Sequence, residues 1–176
     1  MTSDQVLNLD AILNHQVNPR LIMEMGSEFA YRFKDHSIDK VLTIESSGIP
    51  IGFSTAYALG VPLVFARRKK TLTMNQHTYH ERVPSFTKGI VTDIMVSHDF
   101  LCAGERVLLI DDIIANGDAA KGLIRIIEKA QAHVVGVGIV IEKTFQAGAD
   151  SIRDQGIRFE SLVRISSLAE GRITFT

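Results

Sequence analysis

The chain has 176 residues, 45% of them hydrophobic, which suits a single domain over residues 1-176 with a proper core and requires no second one. A formal net charge of -1 gives no general electrostatic drive toward nucleic acid, and no apolar run is long enough to span a bilayer. The opening MTSDQVLNLD lacks the basic and apolar regions of a signal peptide, and the lone Cys102 excludes an internal disulfide, so the expected address is cytoplasmic.

In chain order, Arg20–Phe33 aligns Leu21, Met25, Phe29 and Phe33 along one stripe and predicts a helix packed on the core. Strands are predicted at Lys40–Ile44, Val61–Ala66, Arg106–Ile110, Val134–Ile141 and Arg158–Ile165, with helices at Ile49–Leu59 and Asp118–Ala130 between them. This alternation predicts an α/β fold with a mainly parallel five-stranded sheet flanked by helices. Thr71–Lys88 breaks the pattern: it is polar, rich in His, Tyr and Thr, and interrupted by Pro84. It predicts a long loop, followed by a strand at Gly89–Val96 that completes an antiparallel flap, and its best use is a lid that keeps water from a reactive ligand. His77 and His80 within it have a spacing that metal sites sometimes use, but no Cys or carboxylate pattern completes a ligand set. No repeat, low-complexity segment or linker marks a domain boundary.

Three segments carry chemistry. In VLLIDDIIANGDAAKG, Val107–Gly122, an apolar strand leads into Asp111 and Asp112, then into a run of small residues with Gly117 at the turn. Neighbouring strand residues point to opposite sides, so one carboxylate can meet ligand hydroxyls while the other turns to a metal, a basic group or the loop. Small side chains let backbone N–H groups approach a phosphate at the start of the following helix. The plainer alternative is that the two acids merely end a strand and Asn116 or Asp118 caps the helix. In IESSGIP, Ile44–Pro50, the residues Glu45, Ser46, Ser47 and Gly48 form a second small polar turn, suited to a pyrophosphate but also to a simple capped helix start. In FARRKKTLT, Phe65–Thr73, the run Arg67, Arg68, Lys69, Lys70 gathers positive charge at a strand end. Such a run is usually a solvated face; beside two phosphate-type turns it is placed to neutralise a departing polyanion.

The Val107–Gly122 run resembles the 5-phosphoribosyl 1-pyrophosphate (PRPP) signature of the type I phosphoribosyltransferases. Adding SDQVLNLDAILNHQ at Ser3–Gln16, SFTK at Ser85–Lys88 and GIVIEKTFQAG at Gly138–Gly148, the chain resembles the xanthine phosphoribosyltransferases of bacterial purine salvage nearly end to end. The resemblance implies the type I fold, with a small hood built from the N-terminal segment and a flexible antiparallel lid. It implies transfer of a phosphoribosyl group from PRPP to xanthine, giving xanthosine 5'-monophosphate and pyrophosphate, in a homodimer with no nucleic-acid or membrane partner. Mg²⁺ would be bound through PRPP, with no dedicated protein ligand set. Purine-binding positions fall on Leu7, Asn14 and Lys143, and the 5'-phosphate loop on Ala115, Asn116, Gly117, Asp118 and Ala119. Asp111 and Asp112 take the catalytic position, and Glu45, Ser46, Ser47, Gly48, Arg67, Lys69 and Lys70 the pyrophosphate site.

Such a reaction builds oxocarbenium character on the ribose while a polyanion departs, so the acids serve the sugar and the basic run serves the leaving group. On the residues alone, Lys143 either meets a purine oxygen or pairs with Glu142 at a solvated strand end. Two departures from the family pattern stand out. The loop position two before its glycine, an acid in some relatives and a candidate base, is Ala115. Relatives also begin with a further helical segment ahead of Ser3, so the chain is expected to start late or to be shortened, with looser purine binding. Other classes stay open: a non-catalytic PRPP sensor in transcriptional regulation, a phosphoacceptor domain using the acidic pair, or a phosphoribosyltransferase preferring guanine or hypoxanthine.

Overall fold

The computed structural model describes residues 7–69, 77–85, 90–169 and 172–176. After a single π-type turn at Asp10–Asn14, helix α1 (Pro19–Arg32) starts at Asn18, whose side chain accepts the Leu21 N–H at 3.2 Å, with Pro19 in the first turn where no intrahelical N–H partner is needed. Strand β1 (Lys40–Ile44) is buried throughout and leads into α2 (Gly48–Leu59), which Gly60 ends at φ 70°. Then follow β2 (Leu63–Ala66), β3 (Thr78–Ser85), β4 (Ile90–Ser97) and β5 (Arg106–Ile114). Helix α3 (Asp118–Lys129), β6 (His133–Lys143), the short α4 (Gly148–Arg153), β7 (Phe159–Ala169) and β8 (Arg172–Phe175) complete the order.

The main sheet runs β2-β1-β5-β6-β7-β8, parallel except for the antiparallel β7–β8 pair. The five predicted parallel strands are present, and β8 adds an edge that the sequence did not announce. One face packs α1, α2 and the N-terminal Leu9 and Leu13 against Val41, Leu108, Ile110 and Val140. The other packs α3 and the β3–β4 hairpin against Leu42, Val107, Leu109 and Val137. The buried stripe of α1 is Ile22, Gly26, Phe29 and Phe33, with Leu21 and Met25 half-buried at its margin. Its two phenylalanines lie on glycines of β6: a Cβ on Gly136 would come within 2.5 Å of Phe33 Cε1, and one on Gly138 within 2.8 Å of Phe29 Cδ1.

Three strands outrun their sequence signals. β5 continues from Ile110 to Ile114, β6 to Lys143 and β7 to Ala169, because ladder partners hold charged residues in register: Asp111 lies opposite Ile139, Glu142 between Ile114 and Arg164, and the end of β7 against β8. The loop expected over Thr71–Lys88 is also corrected in its middle. Thr78–Ser85 is a strand paired antiparallel with β4, with Pro84 opposite Val91 at the edge of a two-stranded sheet, where a missing N–H is tolerated. Glu81 fixes it to α3 through Arg125 at 2.8 Å and Lys129 at 2.6 Å, and Val83 sits in the core. Residues 71–76 and 86–88 of that segment, with the flanking Lys70 and Gly89, lie outside the described residues.

The chain leaves β1 toward β2 on one side and leaves β5 toward β6 on the other. The connections after β1 and β5 therefore diverge, opening a crevice at the carboxyl ends of two adjacent strands, the place where open parallel sheets bind ligands.

Candidate active site

Asp111 and Asp112 stand in the second half of β5, each 5% exposed. The Asp112 N–H donates to Asp111 Oδ1 at 3.0 Å. Burial, then the neighbouring charge of Asp112, push the Asp111 carboxyl well above the usual carboxylate range, while the Arg68 guanidinium opposes the rise. A cationic ligand would relieve this cost, which suits a site for positive charge. Gly48, at the start of α2, packs directly on this acid: a Cβ there would lie 2.6 Å from Asp111 Oδ1 and would also strike the Thr43 hydroxyl. Thr43 Oγ1 is buried and has no hydrogen-bond partner among the described residues.

A cleft of about 190 Å³ joins Asp111 and Arg68 to Ala115, Asn116, Gly117, Asp118 and Ala119, with Val83, Pro84 and Ile139 as apolar walls. Gly117, at φ 80°, is the residue before α3, and no side chain caps the helix. Asn116 and Asp118 thus do not serve as its cap, and the first-turn N–H groups of α3 are left without a side-chain partner beside a cleft that residues 115–120 line. The β1–α2 turn is likewise uncapped by any side chain at Ser47, with Ser46 exposed and the Glu45–Ser46 peptide cis.

Within that turn Glu45 is committed to the basic run. Its Oε1 accepts the Arg68 N–H at 2.6 Å, its carbonyl accepts Arg68 Nε at 3.2 Å, and its Oε2 lies 3.7 Å from Arg67 Nε. Arg67 is further fixed by paired backbone bonds to Met95 at 2.9 Å, which tie the end of β2 to the hairpin. Lys69 is exposed beyond it, and Lys70 lies outside the described residues.

The expected purine positions do not line this cleft. Lys143 ends β6 and is 8% exposed, so it is not a solvated strand end; desolvation pulls its ammonium below the ordinary lysine range. The adjacent Glu142 is engaged elsewhere. Burial would raise its carboxyl, but Arg153 through two 2.8 Å bonds, Ser161 at 2.6 Å and Arg164 at 3.6 Å hold it below the ordinary value. Leu7 packs at the edge of the α1–α2 side core, and Asn14 is exposed at the end of the π-type turn.

Residues 9–159 match the phosphoribosyl transferase domain family. The chain belongs to the phosphoribosyltransferases. It is 54% identical over 173 residues to a xanthine phosphoribosyltransferase of Moorella thermoacetica, spanning 98% of this chain and 88% of that protein. It is 50% identical over 170 residues to a xanthine phosphoribosyltransferase of Lactobacillus acidophilus, spanning 97% and 88%. An adenine phosphoribosyltransferase structure from Thermoanaerobacter pseudethanolicus matches with a TM-score of 0.74 over 84% of this chain and 82% of that one; at 22% identity the likeness is one of fold. This phosphoribosyltransferase is therefore a pentosyl-transferring enzyme of type I fold.

Some members of its site carried little or no sequence signal. Arg68 belonged to the basic run placed to neutralise a departing polyanion but was not among the individually named pyrophosphate residues, yet among the described residues it is the basic one that lines the cleft. Gly148 touches the back of the phosphate-type loop from a helix too short to show a period. Only the glycine in FQAG could have pointed to it.

Proposed function

We propose that this phosphoribosyltransferase converts xanthine and PRPP to xanthosine 5'-monophosphate and pyrophosphate in purine salvage. One observation carries the reading of the site: a single cleft gathers a buried carboxylate, an arginine and the uncapped start of α3. The choice of xanthine is supported by the relatives at 50% and 54% identity, which are xanthine phosphoribosyltransferases.

In this reading the Ala115–Ala119 backbone receives the 5'-phosphate, and Asp111 and Asp112 receive the ribose hydroxyls and place negative charge near the cationic sugar. Arg67, Arg68, Lys69 and Lys70, with the Glu45–Gly48 turn, receive the pyrophosphate. The bond from the anomeric carbon to the pyrophosphate oxygen breaks with its electron pair leaving on that oxygen, and a bond to the purine nitrogen forms. Ala115 offers no proton acceptor, so the purine enters as its anion or gives its proton to water or a lid residue. Lys143, held in a partly dehydrated setting, and Leu7 and Asn14 serve the base.

Mg²⁺ fits the acids present: two adjacent buried carboxylates, the Asp111 proton affinity raised by burial and then by its neighbour's charge, are hard oxygen donors whose repulsion a cation offsets. Asp111 and Asp112 would hold it only together with PRPP oxygens and water, and it would supply charge neutralisation for the departing pyrophosphate. The enzyme acts as a cytoplasmic homodimer of single-domain chains over residues 1-176. Exposed Tyr31, Phe53 and Tyr57 on α1 and α2 support a partner surface, and among the described residues no helix is long and apolar enough to cross a membrane.

Purified protein with PRPP and Mg²⁺, assayed in parallel against xanthine, guanine, hypoxanthine and adenine, tests the function. Turnover with xanthine foremost and equimolar pyrophosphate is expected. Guanine or hypoxanthine foremost would reassign the base, and PRPP binding without turnover would point to a ligand sensor.

A further inference from the structure

The Ala115–Gly117 turn is made against a second piece of backbone. Gly148, the first residue of α4, donates its N–H to the Ala115 carbonyl at 3.1 Å. A Cβ on Gly148 would strike that carbonyl oxygen and lie 2.6 Å from the Gly117 nitrogen and 2.7 Å from the Asn116 carbonyl carbon. In the reverse direction, a Cβ on Gly117 would lie 2.9 Å from the Gly148 Cα. Every one of these atoms is main chain, so no side-chain rotation relieves the overlap and the loop itself must move.

Behind Gly148, α4 is held firmly. Ala149 and Ile152 are 2% and 0% exposed in the core. Arg153 grips both oxygens of the buried Glu142 at 2.8 Å and lies over the Phe159 ring at 4.6 Å. Such a forked pair fixes orientation as well as distance. Glu142 immediately precedes Lys143, so one anchored segment from residue 142 to residue 153 reaches both the end of β6 and the back of the loop.

We propose that Gly148 is a positioning residue for the 5'-phosphate end of the site, and that the Glu142–Arg153 pair is the anchor that holds it there. The shape of the loop is set from behind by α4 as well as by its own small residues. This rests on the reading of Ala115–Ala119 as the phosphate loop. Gly148 acts only through that loop.

The test compares wild type with Gly148→Ala and Arg153→Lys, measuring kcat, KM for PRPP and for xanthine, and inhibition by ribose 5-phosphate and by pyrophosphate. Gly148→Ala is expected to raise both KM for PRPP and the ribose 5-phosphate inhibition constant about tenfold, while xanthine KM and pyrophosphate inhibition change less than about twofold. Arg153→Lys keeps the charge, loses the fork and should show the same split at about threefold. Should Gly148→Ala fail to fold, Arg153→Lys decides alone: the split supports the proposal and its absence overturns it. Unchanged ribose 5-phosphate inhibition in folded Gly148→Ala, or equal weakening of all four ligands, also overturns it. Failure of the underlying reading looks different, since Gly117→Ala, a change in the loop itself, would then leave ribose 5-phosphate inhibition unchanged.

Discussion

The β5–α3 loop and the β1–α2 turn stand at the ends of adjacent strands, yet main-chain contacts brace the first while charged side chains brace the second. Ala115–Gly117 rests on the Gly148 backbone, with no ionisable group in the contact. At the Glu45 turn the carboxylate accepts the Arg68 backbone N–H and faces the Arg67 guanidinium, while the Arg68 guanidinium donates to the Glu45 carbonyl, all three residues at least partly exposed. In the first arrangement the contact itself is uncharged, with its anchor, the Glu142–Arg153 pair, set back from it and Lys121 Nζ donating to the Asn116 carbonyl at 3.2 Å, which suits an end that must keep one shape. In the second, Glu45 shapes the Arg67–Arg68 stretch through partly exposed charged contacts that salt screens, which suits the end where a leaving group arrives and departs.

The largest expected effect lies between the two loops. Asp111→Asn with Asp112→Asn should keep the fold, since both acids are mutually repelling in the ligand-free site, yet reduce kcat at least about a thousandfold. Near-normal turnover in steady-state assay of that variant would remove the acids from the chemistry and the comparison with it. Next, Lys143→Gln should lower kcat/KM for xanthine about 10- to 100-fold while leaving PRPP affinity by calorimetry near wild type. Equal loss for both substrates would mean that Lys143 supports the site as a whole rather than the base.

The charged turn should respond more gently. Glu45→Gln is expected to raise KM for PRPP about threefold, with the loss growing less as salt rises because screened arginines depend less on their carboxylate. A salt-independent loss would place Glu45 with the backbone-braced class. Smallest is a stability effect on the hairpin. Glu81→Gln should cost about 1 kcal/mol in urea unfolding, because Arg125 and Lys129 remain half exposed.

The pH dependence has a defined sign. Burial works to raise the Glu81 carboxyl, but Lys129 and Arg125 hold it below its ordinary 4.5, as Arg153 and Ser161 do for Glu142. Folded values that are depressed add stability that is complete above the unfolded value and lost as pH falls through the folded one. Unfolding midpoints should thus drop below about pH 4.5, and Glu81→Gln should flatten that drop. A variant curve parallel to wild type would show that the ion pairs on α3 are not felt in acid.

Most of the parallel sheet was legible because buried strands and amphipathic helices leave periodic signals: Lys40–Ile44 was read to the residue, and α2 and α3 to within one at each end. The acids and the small loop were legible from composition and order along Val107–Gly122. Charged residues near the carboxyl ends of strands hid how far β5, β6 and β7 extend, and polar composition with Pro84 disguised β3 as loop. Short elements gave no period at all, which concealed α4 and β8.

The sequence by itself determined the class of chemistry, because an acidic pair, two small turns and a basic run must each carry their own functional groups. Tertiary structure decided which of those groups share a cleft: it brought Arg68 to Asp111, gave Glu142 to Arg153 rather than Lys143, and seated Gly148 behind the loop. These are contacts between segments distant in sequence or in different elements. Local propensity has no term for them, since packing and hydrogen-bond geometry across the fold choose the partner.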